Sequence, residues 1–265
     1  MQAITHPESS SRILSNKTIE DYRHHGFVKI TNLISAEKAN FYREEALRVI
    51  HSTVAHGDDD YSKRLNQHVN IWQNNESLME LTMSKSIASM AEQLVGEPML
   101  LWHDHLLSKA PNNAMATEWH QDQPYWPLGI EAKTTSVWIA LQDTPEEMGC
   151  MNYIPESHHL NKVGTNNLAV KGSLFEKAPQ LEYEPKVKIP LKTGDAVFHN
   201  GFCGHMATAN KTDEWRIAHV IAYTEASTVV VHEGHVLFDR LGDEAPKIGE
   251  NLNHPTFPRV ATEGL

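Results

Sequence analysis

Residues 119–122 read Trp119-His120-Gln121-Asp122, and a further histidine stands far downstream in Gly204-His205-Met206-Ala207. Side chains alternate along a strand with period two, so an extended His-x-Asp segment puts both polar side chains on one face. One imidazole from a distant strand then completes a set of two imidazoles and a carboxylate. Such a set fills one face of an octahedron and leaves the other open, as in non-haem iron(II) oxygenases. A His-x-Asp pair alone is also consistent with a core histidine bonded to an acid, so the surrounding sequence has to decide.

Outward from this segment, the chain after Glu97-Pro98 is β-rich and broken by Pro, Gly and Asn clusters. Strands are expected at 99–108, 135–143, 150–154, 186–191, 195–199, 215–224 and 227–232, with the His-x-Asp segment itself extended. Upstream the pattern is helical. Thr18 to His25 predicts a short helix ended by Gly26, followed by a strand at Phe27-Val28-Lys29-Ile30. Ser35 is placed to cap a helix running to about residue 54, with Ala39, Tyr42, Ala46 and Ile50 at helical spacing. Ser84 caps another, Ile87 to Val95, ended by Gly96. Helices first and strands afterwards point to a mainly β protein with flanking α-helices, built on a jelly-roll core rather than on βαβ units. Residues 1–16 are expected to form a loose arm, His56 to Asp60 a solvated loop, and 241–265 a wrap or lid. The whole chain, 1–265, is expected to be one domain.

The formal net charge is −11, which argues against nucleic acid or an anionic membrane as main partner. No apolar run is long enough to span a bilayer, and the N-terminal residues do not form a signal peptide. Two cysteines, Cys150 and Cys203, make no disulfide framework. A small-molecule substrate and a cytoplasmic location are therefore expected.

Seventeen histidines supply many candidate ligands. His199, at the end of Asp195-Ala196-Val197-Phe198-His199, competes with His205 for the third position. His205 is preferred because Arg216 follows it by eleven residues, where a guanidinium can clamp the far carboxylate of a keto acid in bidentate fashion. His199 is assigned a hydrogen bond within the barrel. The aromatic run Tyr125-Trp126 beside the polar pair suits the wall of a ligand cavity. His103-x-His105 resembles a cupin pair, but Lys109 stands where a glutamate would be needed. His24-His25 lie at a helix end, and His232 and His235 are read as lid or surface residues.

The series Trp119-His120-Gln121-Asp122, Val137 to Leu141, Gly149-Cys150, Ile154 to His158, Gly194 to His199, His205, Asn210 and Arg216 resembles the phytanoyl-CoA dioxygenase family. The match in order and spacing runs from Thr18 to Phe257-Pro258. The resemblance implies a double-stranded β-helix that uses Fe(II), 2-oxoglutarate and O2. It implies that His120, Asp122 and His205 are metal ligands and that Arg216 binds the cosubstrate's distal carboxylate. It further places Trp138 and His105 in the cosubstrate pocket, with Gln67 approaching from the helical region and His103 beside the substrate. Two positions depart from the pattern. Many relatives have a serine two residues after the distal histidine, where this chain has Ala207; the missing hydrogen bond to a charged acceptor is worth about 1.5–3 kcal/mol. Glu156 stands where a glycine is usual, which alters a turn.

Asp122 also separates reaction types, because halogenases of this kind replace the carboxylate to admit halide. The sequence therefore points to a hydroxylase of a small-molecule metabolite or natural-product intermediate, releasing succinate and CO2. The alternatives are a non-catalytic metal-binding jelly roll that holds a small ligand, and a cupin-type enzyme that needs no keto acid.

Overall fold

The structure is a computed structural model; it describes residues 12–52, 65–113 and 115–261. The His56 to Asp60 loop and most of the N-terminal arm lie outside the described residues.

Four helices come first: α1 (Asn16–His25), α2 (Ala36–Ser52), α3 (Glu76–Thr82) and α4 (Lys85–Val95). Local chemistry sets their ends. Ser15, Asn75 and Ser84 accept from backbone N–H groups of the first turns of α1, α3 and α4. Gly26 ends α1 at φ 83°, and a Cβ there would strike the His158 ring at 2.4 Å, so only glycine fits. The α3 helix was not expected from sequence; seven residues are too few to show a helical period.

Ten strands form two sheets. β1 (Phe27–Ile30), β2 (Asn66–Val69), β3 (Met99–Lys109), β5 (Thr134–Ala140), β8 (Ala196–Asn200) and β10 (Arg216–Glu225) make the larger, in the order β1-β8-β5-β10-β3-β2. β4 (Thr117–His120), β6 (Met151–Tyr153), β7 (Val187–Ile189) and β9 (His205–Ala207) make the smaller, in the order β4-β9-β6-β7. Every strand pairing between named strands is antiparallel. The expected mainly β, jelly-roll architecture with flanking helices is what the chain adopts.

All of β5 is buried, and β10 is buried except for its last residue. Both strands are central, with one face against the helices and the other against the cavity, so their sequences carry little alternation. The outer face packs Val137, Ile139, Ile217 and Ile221 against Ile87, Met90 and Leu94 of α4. Each such fully buried side chain is worth about 1.5–3 kcal/mol. The inner face carries Ser136, Trp138, Val220 and Arg216 toward the second sheet.

Two expectations need correction. Residues 227–232 do not form a strand; only isolated bridges, Leu128 to Val230 and Val229 to Asn251, occur there. Gln67 lies on strand β2 beside β3, not in a helical region. The described part of the C-terminal segment is a wrap: Phe257 stacks on Trp102 with centroids 5.2 Å apart, and Pro258 O accepts from Leu101 N. Two short helices, α5 (Ser173–Lys177) and α6 (Gln180–Tyr183), cover the smaller sheet's loops, and α7 (Val236–Leu241) precedes the wrap.

Candidate metal centre

His120 ends β4 and His205 begins β9, and the two are directly paired across the antiparallel ladder. Asp122 is not on the strand. Its backbone has φ −76° and ψ −48°, and it begins the turn into a short 3-10 helix, Gln123–Tyr125. The strand stops because Pro124 follows and the chain must turn into the cavity wall. The expected same-face argument is therefore wrong in its geometry, and the turn supplies the convergence instead. One donor atom each from His120, Asp122 and His205 lie within 4.8 Å of one another.

Tautomers follow from the partners. His120 Nδ1 lies 2.7 Å from Glu118 O and His205 Nδ1 lies 2.9 Å from Cys203 O. A carbonyl only accepts, so each Nδ1 carries its proton and each Nε2 presents a lone pair. Both Nε2 atoms stand 3.5 Å from the same oxygen, Asp122 Oδ1. Three lone pairs thus converge with no proton between them, and a cation is what such a donor set fits.

Asp122 Oδ2 is engaged separately. His199 Nε2 donates to it at 3.3 Å, and Tyr153 Oη donates to His199 Nδ1 at 3.3 Å. Tyr153 is itself stacked on Phe27. His199 makes the barrel hydrogen bond expected of it, and its acceptor is the carboxylate of the centre. Burial alone would push the Asp122 carboxyl up, but His205, His120 and His199 together hold it well below its ordinary value. Burial, with the neighbouring His120 and His199, brings His205 down to about 3 against the pull of Asp122, so its imidazole is neutral.

Two glutamine and serine contacts fix the approach of β9. Gln121, between the two ligand candidates, points away from them and donates through Nε2 to Phe202 O at 2.7 Å and Leu160 O at 2.9 Å. Ser157 Oγ accepts from Gly204 N at 2.7 Å and donates to Ile154 O. Glu156 takes a left-handed φ of 63°, which explains why glycine is the easier residue there. Sequence reading missed Gln121 and Tyr153; the alternation within His-x-Asp was the available signal for Gln121.

The three donors open on a cavity of about 270 Å³, close to the lower end of ligand sites. At one end Arg216 is buried, with its guanidinium carbon 5.6 Å from the Trp138 ring centroid. Beside it Lys109 is fully buried and donates to the carbonyls of Met115, Ala207 and Thr208. Lys109 thus ties β3 to β9, a role its sequence position did not reveal. Trp138 Nε1, Ser136 Oγ and Thr117 Oγ1 are buried in this cavity without a hydrogen-bond partner. A buried guanidinium with unpartnered donors around it suits a carboxylate-bearing cosubstrate.

Tyr125, Trp126, His103, His105 and His235 also line the cavity. Gln67 Nε2 bonds His105 Nδ1. The His103 ring meets His105 edge-on at 4.1 Å and Trp126 at 5.5 Å. Burial brings His105 and His235 down to about 4 each and holds His103 well below its ordinary value. All three are neutral near pH 7. His235 was expected in a lid or at the surface; it lines the cavity, at the start of α7. Among the described residues, none beyond Val236 lines the cavity.

The phytanoyl-CoA dioxygenase family profile matches residues 22–218. The chain belongs to this family. It is thereby a 2-oxoglutarate-dependent non-haem iron oxygenase. A peroxisomal phytanoyl-CoA dioxygenase of Mus musculus is 25% identical over 237 residues, covering 80% of this chain and 70% of that protein. The structure resembles the epimerase SnoN of nogalamycin biosynthesis, solved with Fe3+, alpha ketoglutarate and nogalamycin RO (26% identity, TM-score 0.81, 92% of this chain and 97% of that one). It also resembles the alpha ketoglutarate dependent carbocyclase SnoK (28% identity, TM-score 0.80, 92% and 96%). No described helix is long and apolar enough to cross a membrane.

Proposed function

We propose that this oxygenase cleaves an unactivated C–H bond of a small-molecule metabolite or natural-product intermediate and hydroxylates it, converting 2-oxoglutarate and O2 to succinate and CO2. The observation that carries the reading is the meeting of three donors, His120 Nε2, His205 Nε2 and Asp122 Oδ1, at the wall of a cavity that Arg216 also lines. His120, Asp122 and His205 hold Fe(II). Arg216 takes the distal carboxylate of 2-oxoglutarate, and Trp138 walls that pocket. An iron ion held by these residues would supply the oxidising power for C–H cleavage.

The chain's own residues do the rest. His199 and Tyr153 fix the Asp122 carboxylate so that one oxygen faces the metal position. Gln121 and Ser157 hold the loop that delivers His205. Tyr125 and Trp126 exclude water on the substrate side. Tyr125 is held there by its hydroxyl's contact with Asn166. The neutral imidazoles of His103, His105 and His235 offer hydrogen bonds without charge, which suits an uncharged, oxygen-bearing substrate. Likeness to SnoN and SnoK supports a natural-product intermediate over an acyl thioester. Two free, buried cysteines fit a reducing compartment such as the cytoplasm.

The test is succinate formation by anaerobically purified protein given Fe(II), 2-oxoglutarate and O2. Slow uncoupled turnover is expected in the wild type and none in Asp122→Ala. Equal turnover in both would remove the reading. The likeness to an epimerase and a carbocyclase favours a second outcome, in which hydrogen is removed and no oxygen is delivered. Labelled O2 separates the two: hydroxylation puts one label in the product, the other reactions put none.

A further inference from the structure

Thr117 has a buried hydroxyl with no hydrogen-bond partner, and its side chain lines the cavity that also holds Arg216 and Trp138. A bulge puts it there. Thr117 pairs with Ala207 and His120 with His205, so β4 spends three steps where β9 spends two. In a regular strand residues three apart face opposite sides; the extra residue turns Thr117 to the same side as His120. Ala207 pairs in turn with Met151, and His205 with Tyr153. The Thr117–Ala207–Met151 rung therefore lies two residues along β9 from the rung of His120 and His205. At this rung Ala207 offers only a methyl group, while its carbonyl is fixed by the buried Lys109 ammonium.

A buried hydroxyl usually finds a protein, water or ligand partner, and that of Thr117 faces the cavity, where a ligand can supply one. A carboxylate has about four lone-pair sites, more than one guanidinium fork fills. Opposite residues of an antiparallel pair have their Cβ atoms about 4.5–5.5 Å apart. A hydroxyl on residue 117 and one on residue 207 can thus reach the same acceptor.

We propose that Thr117 donates its hydroxyl hydrogen to the distal carboxylate of 2-oxoglutarate, beside Arg216, and so supplies the hydrogen bond that position 207 does not. The proposal rests on the cosubstrate reading above.

Calorimetric titration of the Mn(II)-loaded protein tests it without turnover, with 2-oxoglutarate and with 2-oxovalerate, which has the same carbon chain but no distal carboxylate. Thr117→Val is expected to weaken 2-oxoglutarate about tenfold to a hundredfold and to leave 2-oxovalerate unchanged. Thr117→Ser should stay close to wild type, and Ala207→Ser added to Thr117→Val should restore most of the loss. Without ligand, Thr117→Val should melt no lower than wild type, because the hydroxyl it removes has no protein partner. Undiminished 2-oxoglutarate affinity in Thr117→Val, or an equal loss for both oxo acids, overturns the assignment of Thr117 alone. If the valine variant does not fold, Thr117→Ala carries the same comparison. Failure of the wild type to bind 2-oxoglutarate at all overturns the cosubstrate reading, and this assignment with it.

Discussion

Among the described residues, two clusters in the interior combine imidazole with carboxylate, and in only one of them do the donor atoms converge on a cavity. In the first, His120 and His205 spend their Nδ1 protons on carbonyls and aim bare Nε2 atoms at Asp122 on a cavity wall. In the second, Asp104 of β3 and His219 of β10 are joined by the Thr82 hydroxyl. Thr82 Oγ1 lies 2.7 Å from Asp104 Oδ2 and 2.7 Å from His219 Nε2. Asp104 also accepts from Trp72 N. Carboxylate, hydroxyl and imidazole there form a closed chain with a proton for each contact, and neither Asp104 nor His219 lines the cavity. Both clusters set imidazole against carboxylate. What differs is whether the imidazole's second nitrogen is committed to a carbonyl and whether the lone pairs meet at a space.

The largest way to break the contrast is to remove the shared carboxylate of the open cluster. Asp122→Ala should abolish the rise in melting temperature that Mn(II) gives the wild type, since a ligand stabilises only the state that binds it. A metal-induced shift as large as the wild type's would mean that the three donors are not the site. The next effect is smaller. His199→Phe removes the hydrogen bond that orients Asp122, and loss of such an outer partner costs about 10–100-fold in metal affinity. Titration of the apoprotein with Mn(II) measures it.

In the closed cluster the effect should fall on stability alone. Thr82→Val leaves Asp104 and His219 facing each other without the bridging hydroxyl, at a cost of about 1–3 kcal/mol in urea unfolding. Metal affinity should not change. A loss of metal binding there would mean that the two clusters are coupled through β3 and β10.

The pH dependence of stability sharpens the same point. Burial raises Asp104 from 3.8 to about 7 and lowers His219 from 6.5 to about 3. The folded pair therefore holds one proton between about pH 4 and 6.5, on Asp104. The unfolded chain also holds one in that window, on the free histidine. Equal proton counts give no slope. Asp104→Asn removes the folded-state proton while the unfolded histidine still charges. The variant should then lose stability relative to wild type as pH falls below about 6.5, by at most about 1.4 kcal/mol per pH unit. Parallel melting curves from pH 6.5 to 4.5 would contradict the single-proton account.

Much of this was legible in the sequence, and the parts that were not have common causes. Ser84 and Gly96 bracket α4 as expected, because caps are local chemistry. The central strands β3, β5, β8 and β10 were found within a few residues, because long apolar β-rich runs are strong signals. β9 has three residues and α7 six, too short for any period. Residues 227–232 look like a strand, but they meet only isolated partners. His235 could not be read as a cavity residue, since its place depends on where α7 docks.

The sequence by itself determined the family, the jelly-roll class, the cosubstrate chemistry and the candidate donors His120, Asp122, His205 and Arg216, because residue type and order along the chain carry that information. Only the tertiary structure decided that Asp122 stands on a turn and not on a strand. Only it paired His199 and Tyr153 with the carboxylate, set Lys109 against β9, and turned Thr117 into the cavity opposite Ala207. Lys109 and Thr117 depend on strand register, and Thr117 also on a single bulged residue. Register is fixed by how two sheets pack across a shared core, and no local stretch of sequence contains it.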